Sequence, residues 1–410
     1  VSIKAGQIIH DSGGYIINRI QSAGPGNINI PEEKIYEVGN FLSVATVRDV
    51  PDLSFDVEAM NVSCEMEALL TGVAPGALIA NQEVDLANIK PIDIVSPFKS
   101  ASNAFDITRG IAIPELLLER ASYRFGLRQN STQQFTLRGD SILYVPSVPA
   151  AEVITNIDDA VTEMTFTNTP TIAYTDAGST YYAYNVRAVD STTLIHGRLK
   201  LGEDYANTAT GFTLTATGLA KYPAASYDEF HVVYGTTSAT SYAQSVHTIG
   251  DAQPSAIRGR NIDVYVEDSP GAGTLSRWGG VQSFEANWAV QLEADEEFGN
   301  SQAVSRDFQV PDVNGSVGIR AEDPADLWTK IEQIADTPAS ETTGPLTAGE
   351  LEVEVRLTDP DTGSVVKTFF IPDAKFTVPA ISSRIQTKLD TTFSFSSVSG
   401  SMSVYNGIKA

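Results

Sequence analysis

Along most of this chain, apolar and polar positions alternate with a period of two. In Phe284-Glu285-Ala286-Asn287-Trp288-Ala289-Val290 the even positions are apolar, so the segment is predicted to be a strand with those four side chains facing a core. Leu351-Glu352-Val353-Glu354-Val355-Arg356-Leu357 alternates strictly. It is followed by Asp359-Pro360-Asp361-Thr362-Gly363 and then by a second strand pattern from Val365 to Ile371. That order predicts a hairpin. Helical periodicity is confined to two places. Asp323 and Pro324 stand as N-cap and first helical residue before Leu327, Ile331 and Ile334, which make one apolar stripe. Earlier, Asn61 or Ser63 would cap a short helix with Met66, Leu69 and Leu70 on its inner face, stopped by Gly72.

Residues 151–255 read differently. Tyr181 to Val189 is predicted as a strand, Phe212, Leu214 and Ala216 alternate with Thr, and Phe230 to Tyr234 is a short apolar strand. Gly, Thr and Ser turns at short spacing predict a small inserted β-sandwich. Pro146, Pro149 and Pro254 sit near its edges as linker residues would. Ile257 to Val266 is expected to start another sheet.

The flanking segments repeat one another. Glu37-Val38-Gly39-Asn40, Arg48-Asp49 and Val50-Pro51-Asp52 return in order as Glu297-Phe298-Gly299-Asn300, Arg306-Asp307 and Val310-Pro311-Asp312. Ile113-Pro114 returns as Ile371-Pro372, Phe135-Thr136-Leu137 as Phe393-Ser394-Phe395, and Leu143-Tyr144 as Val404-Tyr405. The offsets are 260, 258 and 260 for the first three elements and 258, 258 and 261 for the rest. The expected organisation is therefore mainly β: a first arm over 1–150, an insert over 151–255 and a second arm over 256–410. A repeat usually buries its faces against its own kind, so two copies suggest a subunit that fills two equivalent places in a ring.

Charge and chemistry narrow the function. The net charge is −24, made of −6, −7 and −11 over the three segments, so the acid is spread and not gathered in a tail. That balance fits solubility or life in high salt. It argues against a protein that grips nucleic acid and suits a surface past which DNA slides. Cys64 is alone, which excludes an intramolecular disulfide. His10, His196, His231 and His247 have no metal-site spacing, no phosphate loop or Gly-x-Ser-x-Gly elbow is present, and Asp361-Thr362-Gly363 reads as a hairpin turn. No catalytic residue, cofactor or metal is expected. No run reaches the roughly 18 apolar residues of a membrane span, and Val1-Ser2-Ile3-Lys4 does not read as a secretory leader. Cys64 is expected to be a small buried residue at the start of the first helix, and Trp278, Trp288 and Trp328 to serve core packing.

One charged pattern stands out. Arg120, Arg124 and Arg128 share a strand face with Ser122 and Gly126, while Tyr123, Phe125 and Leu127 point the other way. The matching stretch of the second arm offers Ser382, Arg384, Gln386 and Lys388. Three readings are open: a solvated face, a subunit contact that pairs Arg120, Arg124, Arg128, Arg384 and Lys388 with a neighbour's acids, or DNA binding, which the acidic surroundings disfavour.

The run from Tyr36-Glu37-Val38-Gly39-Asn40 to Val50-Pro51-Asp52, with the stretch from Val353 to Thr391-Thr392-Phe393, resembles major tail tube proteins of long-tailed phages and related viruses. The resemblance covers both arms and leaves the insert uncovered. It implies β-sandwich domains with one flanking helix, joined side by side into a closed β-barrel, usually six domains to a ring. Stacked rings would form a tube through which the tape measure protein and viral DNA pass, with other tail proteins at its ends. With two such domains per chain, a trimer would supply the six places of a virion tail assembled in the host cytoplasm; a hexamer with the second copy diverted stays open. Two other classes compete: an extracellular β-sandwich adhesion or surface-layer protein, and a polysaccharide-acting enzyme, for which no cleft of paired carboxylates is evident. The insert is expected on the outer wall, since an inward insert of about 100 residues would block the lumen.

Overall fold

The computed structural model describes residues 7–10, 13–16, 20–29, 32–35, 45–48, 51–60, 63–73, 78–99, 107–145, 147–155, 163–176, 179–182, 184–190, 196–236, 257–295, 305–321, 323–334, 349–377 and 389–409. The Glu-x-Gly-Asn motifs of both arms, Asn61, Pro146, Pro254, Ser382, Arg384, Gln386 and Lys388 lie outside them.

The fold is mainly β. The first arm contributes β1 (Gln7–His10), β2 (Gly13–Ile16), β3 (Ile20–Asn29), β4 (Glu32–Ile35), β5 (Ala45–Arg48), β6 (Asp52–Met60), helix α1 (Glu65–Leu70), β7 (Gln82–Asp85), β8 (Ile92–Lys99), β9 (Ile107–Gly126), β10 (Thr132–Gly139) and β11 (Leu143–Val145). The insert holds β12 (Val148–Thr155), β13 (Glu163–Thr165), β14 (Ile172–Asp176), β15 (Ser179–Tyr182), β16 (Tyr184–Val189), β17 (His196–Arg198), β18 (Tyr205–Asn207), β19 (Gly211–Leu214), helix α2 (Ala216–Lys221) and β20 (Glu229–Thr236). The second arm supplies β21 (Ile262–Glu267), β22 (Leu275–Arg277), β23 (Val281–Ala289), β24 (Leu292–Asp295), β25 (Ser305–Phe308), β26 (Asp312–Ala321), helix α3 (Pro324–Ile334), β27 (Glu350–Thr358), β28 (Val365–Phe376), β29 (Leu389–Ser397) and β30 (Ser403–Asn406). Among the described residues no helix is long and apolar enough to cross a membrane.

Strand registers in the two arms coincide under one offset. β4 pairs β5 with Glu32 opposite Arg48, and β24 pairs β25 with Leu292 opposite Phe308, so 292 − 32 and 308 − 48 are both 260. Phe135 of β10 lies opposite Val57 of β6, and Phe393 of β29 opposite Val317 of β26. Ile94 faces Ile113 between β8 and β9, as Val353 faces Ile371 between β27 and β28. The irregularities in these last two ladders recur too, at Ile92/Ile94 and Phe98/Lys99 in one and at Leu351/Val353 and Leu357/Thr358 in the other. Bulges of this kind set local twist and direction, so their recurrence means that the two hairpins bend alike. One element moves by a residue. Tyr144 faces Ile111 and Val404 faces Phe369, so the closing strand sits at 404 − 144 = 260, not at the 261 that residue matching suggests.

Among the described residues, seventeen strands of the two arms form one hydrogen-bonded network, and one continuous core holds residues of both. The predicted strand alternation is present: Phe284, Ala286, Trp288 and Val290 are buried. α3 buries Leu327, Ile331 and Ile334, with Asp323 Oδ1 accepting the Ala325 N–H at 2.9 Å. α1 buries Met66, Leu69 and Leu70 and ends at Gly72, whose φ of +78° suits glycine. Its N-cap is Cys64 with no side-chain cap bond, in place of the expected Asn61 or Ser63. Trp278 and Trp288 pack in the core, but Trp328 is half exposed and donates to Glu332 at 3.0 Å; it sits on the flank of α3, about a quarter turn from the apolar stripe.

In the insert, β12-β20-β16-β17 make a four-stranded sheet and β13-β19-β18 a three-stranded one. Their shared core includes Val186, Phe230 and Val232 from the first sheet and Met164, Phe212 and Leu214 from the second. The predicted alternation through Ala216 stops at Leu214. Thr215 caps α2 instead, its hydroxyl accepting the Gly218 N–H at 3.1 Å. The predicted strand Tyr181–Val189 is divided between β15 and β16.

Candidate assembly interface

β9 runs for 20 residues and serves both arms. Its first half pairs β8 and β11. Its second half lies between β10 of its own arm and β23 of the other. The β9–β23 ladder runs antiparallel from Arg120 opposite Ala289 to Gly126 opposite Ser283. Backbone bonds extend it at each end, from Val290 N–H to Glu119 O at 2.9 Å and from Leu127 N–H to Gln282 O at 3.0 Å. Gly259 approaches so closely that a Cβ there would meet the Gly126 carbonyl oxygen at 2.6 Å. A second ladder crosses between the arms where β30 pairs β7, with Val404 opposite Val84.

Side chains reinforce the joint on both faces. On the inner face, Phe125 stacks on Phe284 with centroids 5.9 Å apart, and Tyr123 meets Phe369 at 4.5 Å. On the outer face, Ser122 donates to Asn287 Oδ1 at 2.7 Å, and Arg124 Nε reaches Glu285 Oε1 at 3.2 Å. Arg120 and Arg128 are exposed, and Arg128 lies in the turn beyond the end of β9, so the strand face carries Arg120, Ser122 and Arg124. Arg124 thus pairs across the joint within one chain. This pairing is partly solvated, and such pairs contribute modestly.

Beneath the joint lies a buried polar cluster. Lys367 of β28 is wholly buried and donates to Glu67 of α1, to the Ser63 carbonyl at 3.0 Å and to Gln133 Oε1 at 3.1 Å. Its ammonium lies over the rings of Tyr123 and Phe369 at 5.4 and 5.0 Å. Burial raises the Tyr123 phenol well above its ordinary pKa, and it pushes the Cys64 thiol up to about 12, opposed by the Lys367 charge. Cys64 is buried and donates to the Tyr405 carbonyl at 3.3 Å, which makes it structural in this setting. Sequence reasoning missed Lys367 and Glu67. The signal was present for the lysine, because Lys367 shares the strand face of buried Phe369 and Ile371.

The insert grips the first arm where β9 turns from one partner set to the other. Glu115 sits there with φ 60°, a strained conformation for a side-chain-bearing residue, and its N–H donates to Asp93 at 2.9 Å. Arg187 of β16 binds both oxygens of Asp93 at 2.6 and 2.7 Å, and Arg198 of β17 bridges Glu115 at 2.7 Å and Asp140 at 2.8 Å. Arg187 and Asp93 are almost wholly buried, and the neighbouring carboxylates hold Arg198 above its ordinary pKa against the effect of burial. Val95, Ala112 and Val145 pack with Val233 beside them.

The arrangement offers backbone edges and matched surfaces. Among the described residues no group of three or more His, Cys, Asp or Glu is placed to hold a metal. Compared with family models and with curated proteins, the chain matches none.

Proposed function

We propose that the chain is a structural subunit of a virus tail tube, with two duplicated β-sandwich arms filling two neighbouring places of a ring. The observation that carries this reading is the edge-to-edge joint in which β9 of the first arm pairs β23 of the second. The joint uses different strands on its two sides, so it is head to tail. Such a contact, repeated between copies, closes into a ring when its rotation divides a full turn. The coinciding registers support a duplication, with α1 and α3 as the flanking helices. Closure removes the sheet edges that otherwise invite aggregation.

Three chains would supply six places, and stacked rings would enclose the path of the tape measure protein and the DNA. A net charge of −24 favours a lumen that repels phosphate and does not capture the genome. The insert, as a small β-sandwich, belongs on the outer wall. Arg124 braces the joint between the arms, and the exposed Arg120 and Arg128 beside it would meet the acids of a neighbouring subunit and not the channel. The action is steric and electrostatic, performed in the virion tail.

Electron microscopy of the purified protein tests this. Hollow rings or tubes with three chains and six similar domains per ring are the expected result. Dispersed globules at every concentration would overturn it in favour of an adhesion or surface-layer role. A continuous positive channel in a reconstruction would defeat the repulsion argument.

A further inference from the structure

Three polar side chains from three elements converge in the core beneath the joint. Glu67 comes from α1, Gln133 from the core face of β10 with Phe135 and Leu137, and Lys367 from the core face of β28 with Phe369 and Ile371. All three are buried. Lys367 Nζ is their common point: it donates to the Glu67 carboxylate and, at 3.1 Å, to the side-chain oxygen of Gln133. The walls are aromatic. Tyr123 stands directly opposite Gln133 on β9, and the Tyr123 and Phe369 rings lie 5.4 and 5.0 Å from the nitrogen.

The fold does not require this cluster. In the second arm Leu327 holds the place of Glu67, and Thr391 that of Gln133 at the offset of 258. Burying an amine, a carboxylate and an amide costs more than burying apolar groups of their size. What the three offer is chemistry: a nucleophile, a proton acceptor and an acyl group, held in contact and shielded from water.

We infer that Lys367 and Gln133 form an isopeptide bond within the chain, with Glu67 as the proton carrier. The Lys367 ammonium passes a proton to Glu67, which removes two charges from the core. The freed amine attacks Cδ of Gln133, forming a C–N bond and moving an electron pair onto Oε1. Glu67 gives its proton to the departing Nε2 and takes one from the attacking nitrogen. The carbonyl re-forms, the Cδ–Nε2 bond breaks and ammonia leaves, so a neutral amide and a protonated Glu67 remain. An ammonium has no free electron pair. Reaction therefore proceeds only while Glu67 holds the proton, so the bond forms slowly and newly made chains keep the ion pair. The product ties β28 of the second arm to β10 of the first, across 234 positions of sequence, by a link that unfolding does not open.

Mass spectrometry of the unfolded chain tests this. Protein incubated in the folded state is expected to lose the mass of one ammonia, in a fraction that rises with time. Trypsin should then release residues 129–138 joined to 357–375 as one branched peptide, uncut after Lys367. Lys367→Arg keeps the cation and removes the nucleophile, whereas Gln133→Leu keeps the nucleophile and removes the acyl group. Either variant, once shown to be folded by circular dichroism, should yield no branched peptide. Glu67→Gln should slow bond formation about a hundredfold or more, and an unchanged rate would remove Glu67 from the reaction. Loss of one water, with a branch joining Lys367 to Glu67, would overturn the choice of Gln133. A mass that stays at the sequence value through long incubation, or ammonia loss confined to an unbranched peptide, would overturn the bond. None of these results bears on ring formation, so the tube reading stands or falls separately.

Discussion

Lys367 and Glu67 form an ion pair in which both side chains are 0% exposed, and it joins the second arm's hairpin to the first arm's helix. Removing one partner strands a charge in the core. Glu67→Leu or Lys367→Met alone is expected to cost about 3–5 kcal/mol, whereas the double substitution should recover most of that loss. The second arm already carries the apolar solution, since buried Leu327 of α3 stands at the offset of 260 from Glu67. Denaturant unfolding of the three variants checks this. Additive losses in the double variant would show that the pair does not act as a unit.

Phe135 and Phe393 are both fully buried at the same register place of their arms. Phe135→Ala and Phe393→Ala should therefore destabilise alike, each by about 3–5 kcal/mol. Thermal unfolding of the two variants measures it. A large loss from one and none from the other would show that the arms do not share a mode of packing.

Acid should weaken the β6–β10 contact of the first arm. Arg138 binds both carboxylate oxygens of Asp52 at 2.7 and 2.6 Å and reaches Glu119 at 2.7 Å. These bonds hold the Asp52 carboxyl below its ordinary range, against the smaller effect of partial burial. The folded pKa lies below the unfolded one, so the stabilisation is full above about pH 4 and is lost as pH falls through the folded value. In an acid titration of stability, Asp52→Asn should flatten the fall below that pH. An unchanged profile would remove Asp52 from the acid response.

Deleting the insert should unbalance the first arm. Joining Pro146 to Pro254 by a short linker removes Arg187 and Arg198 and so takes away the cations that pair with the clustered carboxylates Asp93, Glu115 and Asp140. The shortened chain is expected to be markedly less stable than the parent. Adding Asp93→Asn, Glu115→Gln and Asp140→Asn should restore much of the difference, because the stranded charges are then gone. Circular dichroism and microscopy of both deletants check folding and assembly separately. A bare deletant as stable as the parent would show that the clamp is dispensable.

Much of the secondary structure was legible because it is local. The alternation of Phe284 to Val290, the Asp359 to Gly363 turn and the Leu327-Ile331-Ile334 stripe each report which way a side chain faces, and periodicity encodes that directly. α2 was missed because Ala216 continued a strand pattern, while the cap at Thr215 acts through a single hydrogen bond. Trp328 was misplaced because composition gives a residue's character but not its side of the helix.

The sequence alone determined the mainly β class, the ordered offsets near 260 and the spread of acid that disfavours a grip on nucleic acid. The tertiary structure decided what those strands meet. That Arg124 finds Glu285, that Lys367 enters the core beside Glu67, and that Arg187 closes on Asp93 are long-range events between residues 94 to 300 positions apart. Local pattern fixes the face that a strand buries, but the unpaired backbone groups along its edge are alike in every sequence. Which strand fills an edge is chosen by packing across the whole molecule, and so β23 meets β9 of the other arm.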